Sequence, residues 1–146
     1  MIDLDTSAFI KLYFLEKGSE LVQQCVLDQD EPLPVWELLE AEFVNACRLK
    51  AFWKDITPAQ AERQIQLFAQ RQRRGLYFVP DPDRGALMSA FRVYSSHIPR
   101  FGCRTMDILH VACAKLLDVS CLVSFDERQR ALAAHAGLSI MPKRQA

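Results

Sequence analysis

Apolar residues recur along this chain in two rhythms, short runs and longer stretches in which they return every three or four positions, and the two alternate from one end to the other. Ile2 to Leu4 reads as a first short strand that delivers Asp5 at its end. Phe9, Ile10, Leu12, Tyr13 and Phe14 follow at helical spacing, with Thr6 and Ser7 as expected caps. Ser19 is expected to cap a second helix carrying Leu21, Val22, Cys25 and Val26. A polar, proline-bearing loop from Asp28 to Pro34 ends in a short strand near Leu33 to Val35. Trp36 to Phe52 predicts a long helix with Leu38, Leu39, Phe43, Ala46, Cys47 and Leu49 on its buried stripe. Thr57 as cap and Pro58 at the first helical position start another, which runs to about Arg74 and is stopped by Gly75.

The second half repeats the scheme. Leu76 to Val79 predicts a buried strand, Asp83 a cap, Arg84 to His97 a helix, and Phe101 to Arg104 a loop. Thr105 is expected to cap a strongly apolar helix through Leu117. Ser120 to Ser124 predicts a strand ending on Phe125-Asp126. Glu127 to Ala136 predicts a helix closed by Gly137, and Leu138 to Met141 a last strand before Pro142. Residues 143–146 read as a loose tail. Strands alternating with helices predict a three-layer α/β domain with a parallel sheet, and no linker divides residues 1–146.

Composition narrows the picture. At 146 residues with half of them apolar, the chain can bury a full core. Lys plus Arg and Asp plus Glu number 18 each, so no global charge argues for a nucleic-acid partner, although a local basic face can sit inside a neutral total. No apolar run approaches the ~20 residues of a membrane span. Asp3 and Asp5 stand where a leader's apolar region would begin. Five cysteines, an odd number with no C-x-x-C pair, fit small buried thiols in a reducing cytoplasm.

Four acidic residues stand out by position: Asp5 at the end of the first strand, Asp126 just past the strand before the last, Asp107 in the first turn of the Thr105 helix, and Glu42 on the Trp36 helix. Asn45, three residues on, shares the face of Glu42. Each has a plain alternative. Acidic residues favour first helical turns, which covers Asp107 and Asp126, and Glu42 could be one more solvated charge. Asp107, however, precedes the nearly all-apolar Ile108-Leu109-His110-Val111-Ala112, where a carboxylate is costly unless something compensates it. A divalent cation shared by carboxylates is such a compensator, and oxygen-only ligands suit Mg²⁺ or Mn²⁺.

Four blocks of the sequence resemble the PIN-domain ribonucleases, and among them the VapC-like toxins of bacterial toxin–antitoxin pairs. They are Asp5-Thr6-Ser7-Ala8 after an apolar strand, Glu42-Phe43-Val44-Asn45-Ala46, Asp107-Ile108-Leu109-His110-Val111-Ala112, and Ser124-Phe125-Asp126. Together they span nearly the whole chain, in order. The resemblance implies a three-layer α/β/α sandwich with a central parallel sheet of about five strands in the order 3-2-1-4-5. Asp5 and Asp126 would then flank the crevice where that order reverses.

It also implies metal-assisted hydrolysis of RNA. Asp5, Glu42, Asp107 and Asp126 would hold one or two Mg²⁺ or Mn²⁺ ions, with Thr6, Asn45 and Ser124 orienting the carboxylates. The implied partners are an RNA substrate, a cognate antitoxin and a second copy of the chain. Arg104, then Arg48 and Lys50, are the candidate phosphate contacts. His110 reads as a buried structural histidine. Two other classes stay open. Asp3-Leu4-Asp5-Thr6 matches the D-x-D-T motif of haloacid-dehalogenase-like phosphatases, although only Met1 and Ile2 precede it and no later Lys and Gly-Asp-x-x-x-Asp motif follows. A binding module that kept the fold without catalysis is the other.

Overall fold

The computed structural model describes residues 1–143, so the expected loose tail lies outside the described residues except for Lys143. Its elements run β1 (Ile2–Leu4), α1 (Thr6–Phe9), a 3-10 turn (Ile10–Leu12), α2 (Ser19–Leu27), β2 (Leu33–Pro34), α3 (Glu37–Phe52) and α4 (Pro58–Arg73) in the first half. Then come β3 (Tyr77–Phe78), α5 (Arg84–Ser95), α6 (Ile98–Phe101), α7 (Thr105–Leu116), β4 (Cys121–Val123), α8 (Glu127–His135) and β5 (Ile140–Met141). The alternation expected from the sequence is the alternation observed. The short α6 is an addition, because Pro99 sits inside its first turn, where a missing N–H costs nothing.

All strand pairs are parallel. β1 pairs with β4, Asp3 opposite Leu122, and β4 pairs with β5; β2 and β3 form a separate two-stranded ladder. β2 packs beside β1 without a ladder between them. The spatial order is therefore the expected one, but the sheet is two ladders in contact and not one. From β1 the chain moves outward to β2 and β3 on one side, then returns to build β4 and β5 on the other. The reversal falls between β1 and β4, where the carboxyl ends of the strands open a crevice.

Two apolar clusters flank this sheet. One gathers Ile2 and Leu4 of β1 with Phe9, Val22, Leu39, Phe43, Cys47 and Phe68, the buried faces of α1 to α4. The other gathers Leu122 of β4 with Ile108, Val111, Ala114, Leu132 and Ala133, from α7 and α8. In α3 the buried positions Leu39, Phe43 and Cys47 recur every fourth residue, and the expected stripe narrows to them, because Leu49 lies at the solvent edge. The β3 run was expected to be buried, yet only Tyr77 is; Leu76, Phe78 and Val79 face out, since β3 is an edge strand with a partner on one side alone.

Three helix starts differ by one residue from expectation. Asp5, not Thr6 or Ser7, caps α1, its carboxylate accepting the Ala8 N–H. Gly18, not Ser19, precedes α2, and Ser19 instead ties its hydroxyl to Glu16 N–H and Phe14 C=O. Arg104, not Thr105, precedes α7. Gly18 has a positive φ of 92°, and a Cβ there would sit 2.9 Å from the Phe125 ring, so the residue before Asp126 packs against bare backbone. All five cysteines are free.

Candidate metal-binding carboxylate site

The end of β1 places Asp5 under the crevice floor, 4% exposed. Its Oδ1 accepts from Ala8 N–H at 2.9 Å, and the Ser7 hydroxyl lies 2.7 and 2.8 Å from its two oxygens. Its Oδ2 accepts from the Ser124 hydroxyl at 2.8 Å, which brings the ends of β1 and β4 together. Asp5 thus stands at the strand end, as expected, and is buried there. Burial pushes its carboxyl above the ordinary aspartate range, against the pull of Ser7, Ser124 and Ala8.

Asp126 caps α8, with Oδ1 accepting the Gln129 N–H at 2.9 Å, while its own N–H donates to Ser124 Oγ at 3.1 Å. Asp107 lies in the first turn of α7 and folds Oδ2 back onto the Arg104 N–H at 3.1 Å. Glu42 projects from the middle of α3. Its Oε1 accepts from the Thr6 hydroxyl at 2.8 Å and from His110 Nε2. Burial works to raise the Glu42 carboxyl, but the hydrogen bonds from His110 and the Thr6 hydroxyl oppose it, and it lies below the usual glutamate range.

Glu42, Asn45 and Thr6 share a cavity of about 500 Å³ with Asp107 and Arg104. Asp107 and Arg104 also line a cavity of about 330 Å³ with Asp126, Arg128 and Gly102. Asp107 thus stands where the two openings meet. Asp5 lines neither and joins the set from below, through Ser124. Among the described residues, no three acidic, histidine or cysteine side chains form a ready-made ion cage.

The donor set nevertheless suits a hard divalent cation. Glu42, Asp107 and Asp126 each have one oxygen fastened to the protein and the other outside those bonds. Mg²⁺ is commonly held by one or two carboxylates, with water and substrate phosphate completing the octahedron, so a full protein cage is not required.

The Thr6 hydroxyl donates to Glu42 and the Ser124 hydroxyl to Asp5. Asn45 shares the cavity of Glu42, but the carboxylate's bonds come from Thr6 and His110. Among the basic candidates, Arg104 is open to solvent at the cavity rim, its side chain 86% exposed. Lys50 is instead drawn inward to Glu16 at 2.8 Å and over the Phe14 ring, and Arg48 pairs with Glu62 at 3.0 Å.

Two organising residues escaped the sequence argument. Gln129, buried in α8, receives the Ser124 hydroxyl at 2.9 Å, shared with Asp5. It also donates through Nε2 to the Asp107 carbonyl at 3.2 Å, and its N–H caps onto Asp126. Trp36 donates its indole N–H to His110 Nδ1 at 3.1 Å. Gln129 stands three residues after Asp126, the spacing of a cap and its N3 partner, which was the available signal for the first; nothing in the sequence pointed to the second.

Comparison with known proteins bears on the family and the fold. The PIN domain family matches residues 2–135. No curated protein sequence matches the chain. Among solved structures, VapC20 of Mycobacterium tuberculosis, a sarcin-ricin-loop-cleaving toxin, superposes with a TM-score of 0.68 at 14% identity, covering 94% of this chain and 96% of its own. FitAcB of Neisseria gonorrhoeae superposes with a TM-score of 0.63 at 14% identity, covering 96% of each.

Proposed function

This chain belongs to the PIN-domain family, and on that premise we propose that it is a Mg²⁺- or Mn²⁺-dependent endoribonuclease, the toxin of a toxin–antitoxin pair. The observation that carries the reading is the group of three carboxylates, Glu42, Asp107 and Asp126, each tied to the protein by one oxygen around two adjoining cavities, with Asp5 fixed beneath them. A phosphatase that uses Asp3 as nucleophile is disfavoured, because Asp3 is 3% exposed on the strand and not in the crevice.

Glu42, Asp107, Asp126 and Asp5 are the residues that would hold the metal. When bound, such an ion lowers the pKa of a water and stabilises charge on a phosphate. The chain's own part is preorganisation. Thr6, Ser7, Ser124, Gln129 and the Arg104 N–H hold the carboxylates in place before substrate arrives. Arg104, exposed at the rim, meets a phosphate of the strand.

The toxin assignment draws on VapC20, a sarcin-ricin-loop-cleaving toxin. On this reading the partner is an antitoxin protein, the chain pairs with a second copy, and the protein works in the cytoplasm. No helix among the described residues is long and apolar enough to cross a membrane.

The test is cleavage of structured RNA, duplex DNA and a phosphomonoester by the purified chain, with Mg²⁺, with Mn²⁺ and with chelator. Asp5→Asn keeps a capping oxygen for α1 and removes one charge. It should fold normally and lose cleavage by roughly 10²-fold or more. Undiminished RNA cleavage by folded Asp5→Asn, or in chelator, would sink the reading.

A further inference from the structure

His110 lies 2% exposed on α7, between Trp36 at the start of α3 and Glu42 one turn and more along the same helix. The Trp36 indole N–H donates to His110 Nδ1 at 3.1 Å, and His110 Nε2 meets Glu42 Oε1. An indole N–H can only donate, so Nδ1 must accept, and a neutral imidazole then carries its proton on Nε2. That is the nitrogen facing the carboxylate. A second proton on Nδ1 would confront the indole donor, so the Nε2–H tautomer is the one that satisfies all three groups. The Thr6 hydroxyl reaches the same Glu42 oxygen from α1 at 2.8 Å.

We propose that Trp36 and His110 are positioning residues for Glu42. Trp36 selects the imidazole tautomer, and His110 together with Thr6 consumes Oε1, so Glu42 offers only Oε2 to a ligand. The proposal rests on the nuclease reading for the role of Glu42. Its content is separate: a half-exposed glutamate on a helix would otherwise sample several rotamers, and ordering it would weaken whatever bound to it. The relay performs that ordering in advance. It also gives His110 a task outside the chemical step, since neither of its ring nitrogens is left to move a proton.

The experiment compares Trp36→Phe, His110→Gln and His110→Leu with Glu42→Gln and the native chain. Mn²⁺ affinity is read from the resonance of the free ion, His110 tautomer from ¹⁵N chemical shifts, cleavage from single turnovers, and folding from circular dichroism and melting. In the native protein Nδ1 should show the shift of an acceptor and Nε2 that of a protonated nitrogen. Trp36→Phe and His110→Leu should weaken Mn²⁺ binding by about 10- to 100-fold. His110→Gln, which can still donate to Oε1, should recover most of it.

Native Mn²⁺ affinity in folded Trp36→Phe would overturn the proposal, as would a protonated Nδ1 in the native chain. Should His110→Leu fail to fold, Trp36→Phe decides, because it keeps the ring and removes only the donor. Glu42→Gln separates the two levels. If it loses metal and cleavage while the relay variants lose neither, the positioning role falls and the nuclease reading stands. If Glu42→Gln is itself silent, the role of Glu42 falls, and this proposal with it.

Discussion

At the scale of single residues, two aspartates, one within β1 and one just past its end, are buried in different surroundings. Asp5 is wrapped in donors. Asp3, two residues earlier, is 3% exposed, and burial pushes its carboxyl up to about 7, with nearby Asp5 adding to the rise. The direction fixes the pH dependence. Between the unfolded value near 4 and about 7, the folded chain binds a proton at Asp3 that the unfolded chain has lost. Stability from this group is therefore complete below pH 4 and lost as pH rises through about 7. Asp3→Asn removes the charge and keeps the shape. It should raise the unfolding free energy read from urea denaturation at pH 8, by up to ~2–4 kcal/mol, with a matching rise in midpoint, and leave both nearly unchanged at pH 4. Equal midpoints at pH 8 would show that the site accommodates the ionised form.

At the scale of elements, the helix starts do two kinds of work. Those of α1, α7 and α8 carry the acidic set, because a carboxylate in or just before a first turn finds backbone N–H groups to bind and a favourable dipole end. Asp5, Asp107 and Asp126 each spend one such bond and are held by it. The start of α4 is purely structural. Thr57 and Gln60 form a reciprocal capping box, with Pro58 behind it. Thr57→Ala should cost about 1 kcal/mol in chemical denaturation and leave RNA cleavage unchanged. A loss of cleavage there would mean that α4 reports to the site through its packing against α3, which carries Glu42.

At the scale of the molecule, the fold brings Glu42 and Asp107 to one cavity and Asp107 and Asp126 to the next, with Asp5 buried against Ser124. Carboxylates gathered there repel one another when the site holds no cation, so Mg²⁺ or Mn²⁺ should raise the melting temperature by mass action. The response should vanish when Asp5, Glu42, Asp107 and Asp126 are all changed to amides. A melting temperature indifferent to millimolar Mg²⁺ and Mn²⁺ in the native chain would count against the site. Arg104→Ala should behave otherwise, weakening RNA binding and flattening its salt dependence while sparing metal binding.

The sequence by itself determined the order and kind of the elements, because apolar period and capping residues act locally: Thr57-Pro58, Asp83 and Gly137 mark boundaries wherever the chain goes. It also marked the four acidic residues, Asp5, Asp107 and Asp126 by their places at strand or helix ends and Glu42 by the block it shares with Asn45. What it could not determine was who holds whom. Whether Asp5 or its neighbours cap α1 depends on backbone angles, and Asp5 takes extended ones. That Lys50 turns inward to Glu16 depends on where α3 passes the loop before α2. That Trp36, His110 and Glu42 form one line of hydrogen bonds depends on α3 and α7 meeting across β1, residues 74 apart and 68 apart in sequence. Hydrogen bonds act over about 3 Å, and only the packed fold brings such distant donors and acceptors within that reach.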